Sequence, residues 1–265
     1  RSVAIAALAA LVVAGGFFAR SWFSPTTIDS VAILPIANAT GDPGLDYLTD
    51  GMTESLINAL ARLPDLSVKA RSMVFRYKGQ DVDAETVANA LSVKGVVHGR
   101  LEQQGDRLLL SLSLANGRDG DQVWGERYDS TLADLLTLQS GIARDIAGRL
   151  HGGLSREEAR RVANAYTSSG EAYELYLKGR HAWMQFAPDS VPRALSYYRE
   201  AVIQDPGYAL AWAGITHALS TSTIMADADP GVVELTAEDA LQRVLARDPF
   251  NAQILYELGS AHMRL

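Results

Sequence analysis

Between Tyr173 and Leu265 the apolar residues recur every three to four positions, and two of the helical patterns stop at the same dipeptide, Asp205-Pro206 and Asp248-Pro249. A stretch written this way buries its apolar stripes by stacking helix on helix. Tyr173 to Phe186, Val191 to Gln204, Ala209 to Ser220, Val233 to Ala246 and Ala252 to Arg264 read as successive partners. Side-chain size is matched as well as spacing. Gly179 offers a small residue for a close helix crossing, and Ala194, Tyr198, Ala201 and Pro206 follow in its partner helix. Trp212, Ile215, Ala237, Leu241, Val244 and Pro249 take the corresponding places in the next pair, with Thr216 where a glycine is usual. Ala252, Leu255, Leu258 and Gly259 open a third unit that stops before its second helix.

These registers are those of tetratricopeptide (TPR) repeats, whose period is about 34 residues. The two prolines stand 43 residues apart, so an insertion of about nine residues is expected, and Thr221 to Gly231 is the place for it. Stacked helix pairs form a concave surface, which points to a protein or peptide partner. Tyr173, Tyr176, Arg180 and His217 project from first helices and are the candidate peptide-binding residues. The competing reading of these four is a solvated face with ordinary packing between repeats.

Ahead of the helical tail the pattern differs. Ser30 to Ile36 is a short apolar run rich in β-branched residues, a buried strand. Asn38 to Gly44 is a cluster of turn formers, and a helix is expected from Asp46 to Leu63 on the spacing of Met52, Leu56, Ala59, Leu60 and Leu63, with Pro64 ending it. Leu66 to Ala70 reads as a strand and Ala84 to Leu91 as a helix. The period then becomes two. Strands beginning at Val96, at Arg107 and at Gln122, separated by Gly105-Asp106 and by Asn116 to Asp121, make an antiparallel meander. A helix capped by Ser130 or Thr131 runs from Leu132 to Leu150. The order β-α-β-α-β-β-β-α is an α/β class with a mixed sheet.

Val3 to Ala19 is an unbroken apolar run of 17 residues, flanked by Arg1 and Arg20 and followed by Trp22 and Phe23. That length is at the short limit for crossing a bilayer. A transmembrane helix is the leading reading, ahead of a signal-peptide core and a buried helix. The expected organisation is therefore an anchor over 1–23, a linker over 24–29, an α/β unit over 30–152 and TPR helices over 153–265. The sequence starts at Arg1 and stops inside a helical pattern at Leu265, and it reads as a fragment of a longer protein.

No catalytic constellation is recognisable. The five histidines, His98, His151, His181, His217 and His262, include no pair at metal-ligand spacing on one helix face. Asp119-Gly120-Asp121 reads as a hairpin turn, since it lacks the later glutamate of a calcium loop. Asn38 to Gly44 is not a phosphate loop, because no Gly-Lys-Ser/Thr follows. No cofactor or metal is expected. The chain has no cysteine, which removes disulfides and thiolate chemistry. A net charge of -7 disfavours direct contact with nucleic acid.

Ser30-Val31-Ala32-Ile33-Leu34-Pro35, Gly41-Asp42-Pro43 and Tyr47 to Ile57 resemble the TolB amino-terminal-like (FlgO-like) domain of bacterial signalling proteins. Phe75-Arg76-Tyr77-Lys78-Gly79, Val123 to Tyr128, Leu132-Ala133-Asp134 and Gln139 extend the resemblance, and Glu171 to Arg180 resembles the junction into TPR helices in the same proteins. The wording is most similar to the distal half of membrane-bound bacterial Ser/Thr protein kinases. That resemblance implies a single-pass inner-membrane protein, with a cytoplasmic kinase domain and the present globular part outside. Winged-helix regulators and adenylate or guanylate cyclases with similar tails come next, followed by an envelope-assembly module. In every case this chain itself is expected to be a non-catalytic interaction region.

Overall fold

The computed structural model describes residues 28–151, 153–163, 166–185 and 187–224, with residues 239 and 242. Its elements are β1 (Ser30–Ile33), β2 (Ala37–Asn38), α1 (Asp46–Leu60), β3 (Ser67–Val68), α2 (Arg71–Val74), α3 (Ala84–Leu91), β4 (Gly95–Gln104), β5 (Arg107–Asn116), β6 (Gln122–Ser130), α4 (Leu135–His151), α5 (Arg156–Ala163), α6 (Gly170–Met184), α7 (Ser190–Gln204) and α8 (Ala209–Ile224). The mixed α/β class expected from the sequence is the class that forms. Six strands make one sheet in the order β3-β1-β4-β5-β6, with β2 also paired to β4. β1 runs parallel to β3 and β4, β2 runs parallel to β4, and β4, β5 and β6 form the antiparallel meander.

The strand expected over Ser30 to Ile36 is broken in two, and Pro35 is the reason. Leu34 N–H still donates to Val97 O at 2.8 Å. Pro35 has no N–H to give. Ile36 N–H turns off the sheet and donates to Thr53 Oγ1 of α1 at 3.0 Å, and Ala39 N–H rejoins the sheet at Leu101 O, 2.8 Å away. Thr53 donates in turn to Thr49 O at 2.7 Å, so one buried hydroxyl satisfies the break. Helix α1 stops at Leu60 and loosens into a turn before Pro64, and the strand expected at Leu66 to Ala70 shrinks to Ser67–Val68.

Val97, Leu101, Leu110, Leu112, Leu114 and Trp124 share one sheet face and are buried under α1 and α4. Val96, on the opposite face, is also fully buried, because α3 packs against β4 and β5. Beyond that point His98, Arg100, Ser111 and Arg127 leave the same face polar and open. The hairpin at Asn116 to Asp121 forms as expected, with Gly120 at φ +73° and its N–H on Asn116 O at 2.9 Å.

α5 opens the helical tail with a capping box. Glu158 N–H donates to Ser155 Oγ at 3.2 Å, and Ser155 N–H donates to Glu158 Oε2 at 2.8 Å. α6, α7 and α8 then pack in sequence, each on the next. Tyr198 of α7 is the knob between them, 1% exposed. A Cβ on Gly179 of α6 would stand 2.5 Å from its ring, and one on Gly214 of α8 would stand 2.8 Å away. Thr221 to Ile224 continue α8. The rest of the expected insertion and the helices expected at Val233 to Ala246 and Ala252 to Arg264 lie outside the described residues.

The expected single-pass inner-membrane placement is corrected. Among the described residues no helix is long and apolar enough to cross a membrane. The apolar run at 3–19, on which that expectation rested, lies outside the described residues.

Candidate functional site at the α1–α6 seam

Asp46, Asp50 and Glu54 follow one another at four-residue spacing along α1, so they form a single acidic stripe. Three like charges in a row destabilise a helix unless cations meet them. Here the cations come from two sides. From the segment after β3, Lys78 Nζ lies 2.7 Å from Asp50 Oδ1 and 3.6 Å from Asp46 Oδ2, and Arg71 Nε lies 3.3 Å from Glu54 Oε2. From α6, Arg180 pairs with Glu54, and His181 Nδ1 lies 3.4 Å from Asp50 Oδ2. Asn38 Nδ2 adds a donor to Asp46 at 2.7 Å. The side chains at the centre are largely withdrawn from water: Glu54 is 13% exposed, Arg180 14% and Asp50 15%.

Burial pushes the Asp50 carboxyl up, but hydrogen bonds from His181 and Lys78 outweigh it and hold the group below the usual carboxylate range. Burial lowers Arg71, and the nearby Arg180 charge adds to that, against the opposing pull of Glu54.

Around the charges the helices meet closely. A Cβ on Gly51 would stand 2.5 Å from Leu177 Cδ2, so only glycine lets α6 approach α1 here. Tyr47 OH donates to Glu174 Oε1 at 3.0 Å, and Ser55 Oγ shares a hydrogen bond with Tyr173 OH at 3.0 Å. Burial pushes the Tyr173 phenol up to about 12. A cavity of about 30 Å³ remains, lined by Glu54, Ser55, Asn58, Gln139, Tyr173 and Arg180 among others. Gln139 is 5% exposed and its Oε1 has no hydrogen-bond partner among the described residues. Such a polar void has room for about two waters. The charges at the seam are spent on one another, which makes it a docking surface. Among the described residues no group of three or more His, Asp or Glu side chains is placed to hold a metal ion.

The structure gathers three of the four candidate peptide-binding residues at this seam. Tyr173 and Arg180 face α1 as described, and Tyr176, 5% exposed, packs its ring 5.9 Å from Tyr198 and 5.4 Å from Tyr208. His217 stands apart, edge-on to Trp183 at 4.7 Å. The α/β portion covers the face of α6 that the sequence reading left open to a peptide. The acids on α1 and their partners Arg71 and Lys78 were missed. The four-residue spacing of Asp46, Asp50 and Glu54 on a helix that also carries Gly51 is the signal that could have found them.

No protein-family model matches the chain. A Rhizobium meliloti protein named "Putative adenylate cyclase 3" is 33% identical over 187 residues, which cover 71% of this chain and 32% of that protein. The chain thus spans about a third of the length of the curated relative it matches. The solved structures that align with it include a lipoprotein of Neisseria meningitidis, at TM-score 0.35 and 19% identity over 45% of this chain and 96% of that one. TolB of Acinetobacter baumannii aligns at 0.35 and 17% over 49% and 30%, and the LpoB carboxy-terminal domain of Escherichia coli at 0.33 and 15% over 41% and 87%. These likenesses to TolB-like and lipoprotein domains are weak and carry no argument. Among these similarities the kinase ranked first by the sequence resemblance finds no support, whereas a nucleotide cyclase, one of the runners-up, does.

Proposed function

We propose that this chain is a non-catalytic interaction region of a bacterial signalling protein of the nucleotide-cyclase kind, an α/β unit docked onto TPR-type helix pairs that receive a protein or peptide partner. The observation that carries this reading is the 33% identity to a protein whose name is that of an adenylate cyclase, confined to about a third of that protein. The Tyr198 knob between Gly179 and Gly214 supports the TPR part, since small residues opposite a large aromatic are what that helix crossing requires. The acidic surface, net charge -7, suits a protein partner better than nucleic acid. At the seam, the ion pairs of Glu54 and Asp50 and the contact of Leu177 with Gly51 hold α6 against α1, which gives the tail a route to the α/β unit.

The test is an assay of cyclic AMP formation from ATP by two purified polypeptides: this chain alone, and the product of the whole reading frame that encodes it. Activity in the long polypeptide and none in the chain is the expected result. Turnover by the chain alone, or a reading frame with a kinase domain in place of a cyclase, would sink the proposal.

A further inference from the structure

His181 stands on α6 with its two ring nitrogens turned to different parts of the molecule. Nδ1 lies 3.4 Å from Asp50 Oδ2 of α1. Nε2 lies 2.9 Å from Gln185 Nε2, one turn further on at the end of α6. Gln185 Oε1 accepts from the Arg193 guanidinium of α7, and Arg193 Nη1 donates to Asp189 Oδ2 at 3.2 Å. The corner between the two helices is fixed by its backbone. Gln185 N–H donates to Ala182 O at 3.2 Å, and Ala187 N–H donates to Ser190 Oγ at 2.8 Å. A chain of side-chain contacts thus runs from the α/β unit, through α6, to the first turn of α7.

Counting donors and acceptors places the protons along this chain. A guanidinium only donates, so the Gln185 oxygen faces Arg193 and the amide nitrogen faces His181. That nitrogen also only donates, so Nε2 accepts and carries no proton. The ring proton is on Nδ1, beside the Asp50 carboxylate. A second proton, on Nε2, would set two donors against each other at 2.9 Å. Gln185 relieves that only by turning its amide, which puts its NH2 against Arg193. The seam receives the same proton differently. Asp50 faces the ring from α1, with Asp46 and Glu54 one turn away on either side. Lys78 opposes them from the segment after β3, Arg71 and Arg180 pair with Glu54, and Lys178 of α6 is engaged by Glu174 at 2.7 Å. Against the upward push of burial, hydrogen bonds from His181 and Lys78 hold the Asp50 carboxyl below the usual range. A carboxylate therefore still meets the ring when the ring becomes charged.

We propose that His181 is a pH-sensitive switch joining the α1–α6 seam to the start of α7. Neutral, the ring ties Asp50 to Gln185 and through it to Arg193. Protonated, it keeps Asp50 and turns the Gln185 amide away from Arg193, which is left with Asp189. Acidification loosens the α6–α7 corner of the tail while the seam stays closed. The coupling is reciprocal, so a partner that draws Arg193 off Gln185 makes the ring easier to protonate.

The test is NMR spectroscopy of the full chain between pH 8 and pH 5.5, the range in which imidazoles change charge. It follows the ring nitrogens of His181, the side-chain amide of Gln185 and the guanidinium of Arg193. At pH 8 the His181 proton is expected on Nδ1. On acidification the Gln185 and Arg193 signals are expected to shift with the same midpoint as the ring. In His181→Gln, where the other histidines still titrate, the Arg193 signals are expected to stay flat. Gln185→Glu, an exposed change that leaves the fold intact, sets an acceptor against Nε2 and still pairs with Arg193. There the ring is expected to bind its second proton about tenfold more tightly, the contribution of one charged hydrogen bond, with the Arg193 signals again flat. A neutral ring with its proton on Nε2 overturns the proposal. So do Arg193 signals that ignore the ring in the parent chain, that shift equally in His181→Gln, or that still follow the ring in Gln185→Glu.

Discussion

α1 and α4 cover the same face of the sheet and both carry charged residues at their margins, yet they use them in opposite ways. On α1 the stripe Asp46, Asp50 and Glu54 is met by Lys78, Arg71, Arg180 and His181, and Gly51 is pressed against Leu177. On α4 the Arg149 charge faces a groove, and Gly148 has open space over its Cα. Two glycines, each inside a helix, therefore stand in opposite surroundings. One permits a contact inside the molecule, and the other has open space beside it, as Gly141 of the same helix does. The difference separates a helix face pressed against the tail from one with space beside its glycine.

The largest effect is expected where the contact is closest. Gly51→Leu places a side chain where Leu177 already stands, and overpacking of this kind costs about 3 kcal/mol at the upper end of its range. For a chain of this size the melting temperature is expected to fall by roughly 6–12 °C in thermal unfolding followed by circular dichroism. An unchanged melting curve would mean that α6 can slide off α1 freely, and the contrast between the two helices would collapse.

Next comes the charge at the centre. Glu54→Ala leaves Arg71 and Arg180 facing each other in a site that is mostly buried. Breaking a buried pair costs about 3–5 kcal/mol when burial is complete, and the residual exposure here brings the expectation to about 2 kcal/mol. Urea unfolding should show the midpoint lowered with the slope unchanged. Glu54→Gln should recover part of the loss, because an amide oxygen still accepts from one guanidinium. If Gln and Ala cost the same, the seam is held by packing alone.

Sequence reading reached the helices and strands more securely than it reached this seam. Ala84 to Leu91 and the meander were legible because their periods, 3.6 and 2, are local properties of the chain. The small-large match of Gly179 and Tyr198 was legible for the same reason, since residue size at helical spacing is written in the sequence. The division of the first strand at Pro35 was not, because it depends on Thr53, 17 residues on, accepting the Ile36 N–H. The role of Arg180 was misjudged for a similar reason. Its residue type and helix position suit a peptide groove, but its actual partner, Glu54, lies 126 residues earlier in the chain. No local pattern states that an acidic stripe on one helix will meet cations from a distant one. Only the coincidence of Gly51 with that stripe hints at a close approach.

The acid limb of stability gives a smaller and more selective test of the same seam. The Asp50 carboxyl sits below its ordinary value in the folded chain. A group depressed on folding stabilises the native state above its unfolded pKa, and that stabilisation is lost as the pH falls through the folded value. Stability is thus expected to hold from neutral pH down to about 5 and to fall below about 4. Asp50→Asn should flatten that limb and leave an otherwise similar curve, at a modest cost near neutrality because Lys78 keeps Asp46 within reach. A limb of equal steepness in the variant would place the acid sensitivity elsewhere.

The smallest effect has the opposite sign and tests the other helix. Gly148→Ala adds a methyl group where no atom lies within 4 Å, in the interior of α4. Nothing in the folded chain opposes it, and the unfolded chain loses freedom, so stability is expected to rise by about 0.4–1 kcal/mol. The gain should appear as a melting temperature higher by roughly 1–4 °C. A folding reason for glycine at this place would make the change costly, as at Gly51. A stabilising alanine would show that no packing contact requires glycine here, in contrast to Gly51. Read with Gly51→Leu, the pair of substitutions measures both halves of the comparison: a steep loss where the helix is already occupied by its own tail, and a slight gain where it is not. Two losses of similar size would instead indicate that α4 is packed on this side as α1 is.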